Sequence, residues 1–298
     1  MPGRPGPPPG GFRAAAAAPG GRHRAQRELA ERSLLHTVRR DVPRVDVRLL
    51  LHALAVTGHP AQPTATIRSS TMTTAKRDLV DLSHVVRQGM TTYPGLPGPV
   101  IEDHMSRVDS RDRYSPGTEF QIGRITLVAN TGTYADVPFH RFEGGADLSQ
   151  VPLSRFVDLE GVAVSVPAGS PSGVGPEVFD GLEVTDRAVL VHTGWDRHWA
   201  TPSYGDPAHP FLTEAAVAWL VARRPALVGI DSVNIDDMAD LARPAHTGLL
   251  AAGIPVVEHM TGLGQVVGQD FRFHAAPIPV ADMGTFPVRA YALVDREG

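Results

Sequence analysis

The sequence predicts an α/β domain built on a substantial mixed sheet. Short β-branched-rich runs recur at 161–166, 188–192 and 226–230, each bounded by turn residues. Only two stretches, 211–223 and 246–252, read as helices in this part of the chain. Many strands with few helices fit one sheet with helical cover, and no internal repeat is visible.

Taken in order, residues 78–86 read as a first strand and its exit. Tyr93-Pro-Gly-Leu-Pro-Gly-Pro is a stiff loop. Residues 119–129 alternate like a strand through Phe120, Ile122, Ile125 and Leu127. The segment 211–223 has helical spacing, with Thr213 as N-cap and Glu214 in the first turn. The second helix, 246–252, ends at Gly253. Runs at 254–257 and 276–280 read as strands, and 288–293 closes the domain.

The chain has 298 residues and no cysteine, which excludes disulfides, thiolate ligands and a cysteine nucleophile. That composition, with no compact secretory signal, fits a cytoplasmic protein. No run of eighteen apolar residues suggests a membrane span. The net charge of −4 is unevenly distributed: residues 1–71 carry eleven Arg against four acids, for +7, and 72–298 carry −11. An acidic body gives nucleic acid little to bind. Residues 1–25 are rich in Pro, Gly, Ala and Arg and read as disordered, and 26–56 could form a helix broken at Pro43. The expectation is that the folded domain begins at Met72. Residues 1–71 would then be a dispensable tail or an over-extended reading frame, an idea that native peptides upstream of Met72 would refute; the alternative is a targeting or regulatory arm.

The chemistry concentrates at Asn130-Thr-Gly-Thr-Tyr134-Ala-Asp136-Val-Pro-Phe-His140. Pro138 argues against a helix interior, so Asp136 and His140 are expected on a rigid, irregular turn. An acid and a histidine fixed there suit a metal site or proton transfer. Arg141, next to His140, could grip a carboxylate bidentately or pair with Glu143 or Asp147. No Walker A motif and no Gly-x-Ser-x-Gly elbow is present.

The segment resembles the His-x-Gly-Thr-His-x-Asp-x-Pro-x-His signature of the cyclase-type metal-dependent hydrolases, a family that includes bacterial kynurenine formamidases and isatin hydrolases. The resemblance extends through Asp81-Leu-Ser-His84, Tyr93-Pro-Gly95, Val189-Leu-Val-His-Thr-Gly-Trp195, Gly229-Ile-Asp231, and His246 with Glu258. It implies a swivelling β/β/α fold in one domain over 72–298, assembly as a homodimer or homotetramer, and a small-molecule substrate. It also implies that Asp136, His246 and Glu258 are metal ligands and His140 the general acid/base. Asn130 and Tyr134 stand where the family has two metal-binding histidines. Tyr134 could fill the vacated volume as packing or donate to an oxyanion. Tyr93 could stack on a planar substrate, and Asn130 and Arg141 could line its site.

These matches lead to a hydrolase acting on a carbon–nitrogen bond of a formamide, cyclic amide or lactam. Its cofactor would be a divalent metal, zinc or manganese, and three remaining ligands suffice for a single ion. With two ligands exchanged, two other readings stay open. One is metal-free dehydration, isomerisation or cyclisation on the same scaffold. The other is an inactive homologue that only binds a small molecule.

Overall fold

In the computed structural model the described residues are 77–295. The expectations for 1–71, including the helix over 26–56, lie outside them. The strands in chain order are β1 (Arg77–Asp81), β2 (Val100–Met105), β3 (Ile122–Thr126), β4 (Tyr134–Asp136), β5 (Leu159–Ser165), β6 (Gly173–Val174), β7 (Ala188–His192), β8 (Phe211–Leu212), β9 (Leu227–Ile230), β10 (Val256–Glu258), β11 (Phe271–His274), β12 (Thr285–Pro287) and β13 (Tyr291–Asp295). The helices are α1 (Arg107–Ser110), α2 (Glu214–Arg223) and α3 (Pro244–Ala251).

Nine strands form one sheet in the order β1-β13-β11-β5-β7-β9-β10-β4-β12. Its centre, β5-β7-β9-β10, is parallel, and antiparallel pairs extend it on both sides. This is the mixed α/β sheet that the strand-rich pattern predicted. Central parallel strands are covered on both faces and read as continuous apolar runs. In β7, Ala188 and Leu190 join one core, and Val189 and Val191 join the other. The second core is shared with α2 and α3 through Ala216, Val217, Leu220, Ala245, Leu249 and Leu250. Thr213 caps α2 by accepting from the Ala216 amide, as its sequence position suggested.

Three expectations change. The strand expected at 276–280 is not there; the strand in this region is β11, five residues earlier. Pro277 and Pro279 lack the N–H groups a ladder needs, whereas Phe271-Arg-Phe-His alternates between buried and half-buried positions. The alternating segment 119–129 contains β3, but β3 pairs only with β2 and is exposed along its whole length. Finally, only His140 lies on the irregular turn, a 3₁₀ turn over Pro138–His140. Asp136 lies on β4, a fully buried strand between β10 and β12.

Candidate functional site

Register builds this site. In β4, Tyr134 and Asp136 share a face because strand side chains alternate. Tyr134 lies opposite Glu258 of β10, and Asp136 lies opposite Thr285 of β12. Directly paired residues project to the same side, so four polar side chains meet at one end of the sheet. Helix α3 adds His246 from above.

The hydrogen bonds are directional. The Tyr134 hydroxyl donates to Glu258 Oε2 at 2.8 Å, and the Ile235 amide donates to Glu258 Oε1 at 2.6 Å. A phenol has one proton, so the 3.1 Å contact between Tyr134 and His259 Nε2 requires His259 to donate. His259 Nδ1 must then accept from the Tyr204 hydroxyl at 2.9 Å. The result is a one-way chain, Tyr204 to His259 to Tyr134 to Glu258. Burial holds His259 neutral, lowering its pKa to about 4. Burial, with the charges of Glu258 and Asp136, raises the Tyr134 pKa well above 10, and Asn130 partly offsets this. Burial works against the Glu258 carboxylate, but His246 and the donated hydrogen bonds hold its pKa at about 2.

Asp236 fixes His246. One oxygen of Asp236 accepts from the Ala245 amide, and the other from the His246 amide and from His246 Nδ1 at 2.6 Å. A carboxylate cannot donate here, so Nδ1 carries the proton and Nε2 faces the site. Burial disfavours the imidazolium, yet Glu258, Asp136 and Asp236 outweigh burial and raise its pKa well above 6.5. His246 Nε2 lies 3.7 Å from both Asp136 Oδ2 and Glu258 Oε2.

Thr285 does the same for His140. Its hydroxyl donates to Asp136 Oδ1 at 2.5 Å and lies 2.7 Å from His140 Nδ1. The Thr285 proton is committed to the carboxylate, so His140 donates from Nδ1 and keeps Nε2 as an acceptor. The turn carrying His140 packs so closely on Gly284 that a Cβ there would overlap the His140 backbone.

Asp136 Oδ2 is buried and has no hydrogen-bond partner among the described residues. Leaving a carboxylate oxygen dry and unpaired is costly, and a cation would satisfy it. Ligand atoms about 2 Å from a tetrahedral zinc stand roughly 3.4 Å from one another, close to the two 3.7 Å separations around His246 Nε2. Carboxylate and imidazole donors together suit a divalent ion. Among the described residues the one group of such side chains whose ligand atoms all lie within 4.8 Å of one another is Asp136, His140 and His246; Glu258 approaches it through His246 and is not part of it. The residues therefore fit a divalent ion.

A cavity of about 290 Å³ opens onto this cluster. Tyr93, Leu96, Asn130, Tyr134, His140, Arg141, Asn234, Arg243, His246 and Glu258 line it. Every site residue singled out in the sequence except Asp136 borders the cavity, and Asp136 sits directly behind His246. Sequence reasoning missed Thr285, Asp236, His259, Asn234 and Arg243. The adjacency of His259 to Glu258 was the one signal available. Arg141 pairs with neither Glu143 nor Asp147 and instead donates to Thr247 Oγ1 at 3.2 Å.

Residues 80–237 match the family described as "Putative cyclase", which is more than half of the chain. The protein belongs to this cyclase family. It is 28% identical over 210 residues to the kynurenine formamidase of Polaromonas naphthalenivorans, covering 70% of this chain and 88% of that one. It is 25% identical to the kynurenine formamidase of Geobacillus thermodenitrificans, covering 71% and 95%. Among solved structures, isatin hydrolase A from Labrenzia aggregata, bound to benzyl benzoate, superposes with a TM-score of 0.64 at 21% identity, covering 74% and 94%. A potential metal-dependent hydrolase with cyclase activity superposes at 0.60 and 23%, covering 75% and 100%. The two structural matches establish the shared fold.

Proposed function

We propose that the protein hydrolyses a carbon–nitrogen bond, in a formamide, cyclic amide or lactam, with one divalent ion, zinc or manganese, held by Asp136, His246 and Glu258. The convergence of Asp136 Oδ2 and Glu258 Oε2 on His246 Nε2, each at 3.7 Å, carries this reading. The relatives named as kynurenine formamidases support the bond type. Asp136, His246 and Glu258 would hold the ion, and the chemistry it would supply there is a water of lowered pKa and polarisation of a carbonyl.

The chain's own residues do the rest. Thr285 holds His140 with Nε2 open to the cavity, where it can take a proton and return it to the leaving nitrogen. Tyr134 spends its proton on Glu258, which makes it a positioning residue for that carboxylate. An oxyanion-donor role would require this bond to break. Tyr93 and Leu96 offer an apolar wall for a planar body, and Asn130 offers an amide beside it. We also propose self-association as a homodimer or homotetramer through the β2–β3 hairpin. Two strands alone are marginally stable, and this pair exposes Val100, Ile101, Ile122 and Ile125.

The test is turnover of formanilide, cyclic imides and lactams by metal-replete protein. Loss of about 10²–10⁴-fold in kcat is expected for His140→Ala. No turnover of any of these substrates, or an unchanged kcat in that variant, would end the proposal.

A further inference from the structure

Asn234 stands at the cavity with half of its amide unspent. Residues 234–236 follow β9, and each serves the site differently. The Ile235 amide donates to Glu258 Oε1 at 2.6 Å, and the Asp236 carboxylate holds His246. The Asp236 amide in turn donates to Asn234 Oδ1 at 2.8 Å. An N–H group needs an acceptor opposite it, so this bond fixes which end of the Asn234 amide is oxygen and turns Nδ2 the other way. Nδ2 is neither buried nor hydrogen-bonded among the described residues, although Asn234 as a whole is only 7% exposed. Its two N–H groups therefore open on the space that Asn234 borders, which is the cavity. A turn closed through a side-chain oxygen is served as well by Asp or Ser. What asparagine adds is a neutral donor, where Asp would bring another negative charge to a cavity that Glu258 already borders.

We infer that Asn234 donates from Nδ2 to the carbonyl oxygen of the bond that is cleaved. This rests on the hydrolase reading for the word cleaved, but the hydrogen bond itself can be tested without turnover. When water adds to an amide carbon, the carbonyl π pair moves onto the oxygen. Its return expels the nitrogen, which takes the proton that His140 carries. A donor fixed beforehand beside that oxygen stabilises the charge as it develops. Two other neutral donors at the cavity are already spent. Tyr134 gives its proton to Glu258, and Asn130 acts on the Tyr134 oxygen. Tyr93, Arg141 and Arg243 are more exposed, so none is as firmly preset as Asn234.

The experiment compares wild type with Asn234→Asp and Asn234→Ala. The first variant keeps an oxygen for the Asp236 amide and loses the donor; the second loses both. Infrared difference spectra of benzamide, isotope-labelled at its carbonyl carbon, read the hydrogen bond at equal metal content in all three proteins. The bound carbonyl band is expected at lower frequency in wild type than in either variant. With formanilide, both variants are expected to lose about 10²–10³-fold in kcat, the range for removing one such donor, with KM moved far less. If Asn234→Ala does not fold, Asn234→Asp carries the comparison alone. A bound band at the same frequency in wild type and variants, or no bound band, would overturn the inference. So would a kcat loss in Asn234→Ala without one in Asn234→Asp, because Asn234 would then act through Asp236 and His246. Absence of turnover by wild type with formanilide, cyclic imides and lactams would remove the hydrolase reading, and the benzamide band would then decide the donor alone.

Discussion

The Tyr134 hydroxyl donates to Glu258 Oε2 across 2.8 Å because β4 and β10 pair these two residues face to face. The contact joins a signature residue to a carboxylate far along the chain. It also turns Tyr134 into the last member of a donor chain that begins at Tyr204.

Replacing Tyr134 with Phe keeps the ring and removes the hydroxyl. His259 Nε2–H then loses its acceptor and Glu258 Oε2 loses a donor, both in buried surroundings. The expected loss is about 1–3 kcal/mol of unfolding free energy, the range for stranding a buried polar group. Urea denaturation reads this directly. An unchanged midpoint and slope would mean that water or a side-chain shift satisfies both groups.

Thr285→Val removes the hydroxyl between Asp136 and His140 at nearly constant volume. His140 then loses what fixes its Nδ1 proton, and Asp136 Oδ1 loses its donor. A fall in kcat of at least about tenfold is expected, with KM moved far less, because the hydroxyl acts on the proton carrier and does not touch the ligand. A change confined to KM would show that Thr285 shapes the cavity instead.

How much of this was legible in the sequence depends on how local each feature is. Strands β7 and β9 and helix α2 were readable because their apolar periods lie within a single segment. Helix α3 and β10 were placed within a few residues. Asp136 could not be recognised as a strand residue: three residues show no period, and its strand character comes from partners at 256–258 and 285–287. The run at 276–280 looked like a strand by composition, and its two prolines were the overlooked contrary signal. Thr285, Asp236 and Arg243 sit in segments with no motif. Only pairing and helix docking bring them to His140 and His246.

Acid should weaken the fold through His84. Its ring stacks on Trp199 at 3.8 Å and 3°, and burial, then the nearby His259, lower its pKa to about 4. The unfolded chain takes up this proton near 6.5, so between 6.5 and 4 the unfolded state binds more protons. Stability therefore falls as pH drops through that window and is independent of this group above it. After discounting for partial exposure, the loss is on the order of 1–2 kcal/mol. His84→Phe, which keeps the stack, should make the urea-derived stability profile less steep there, with His259, lowered to the same range, supplying what remains. An equally steep profile in the variant would assign the acid sensitivity elsewhere.

If the β2–β3 hairpin mediates self-association, one charge at its centre should disrupt it. Ile101 and Ile125 face each other across the two strands and are about half exposed. Ile125→Asp is expected to shift light-scattering mass toward the monomer while leaving the circular dichroism spectrum unchanged, since the side chain is not part of either core. A monomeric wild type would dismiss the interface.

Metal stoichiometry separates a remodelled site from an ordinary one. Asp136, His246 and Glu258 offer one set of ligand atoms around His246 Nε2. Tyr134 would have to ionise to serve as a strong ligand. Burial and two neighbouring carboxylates oppose that, and its proton is already given to Glu258. Asn130 adds a neutral amide, which binds such ions weakly. Dialysed wild-type protein should therefore carry about one divalent ion per chain by elemental analysis. Asp136→Asn should fall well below that value. The double substitution Asn130→His with Tyr134→His supplies two imidazoles beside Asp136 and should raise the content toward two ions. Two ions in the wild type, or no gain in a folded double variant, would show that Tyr134 does not set the number.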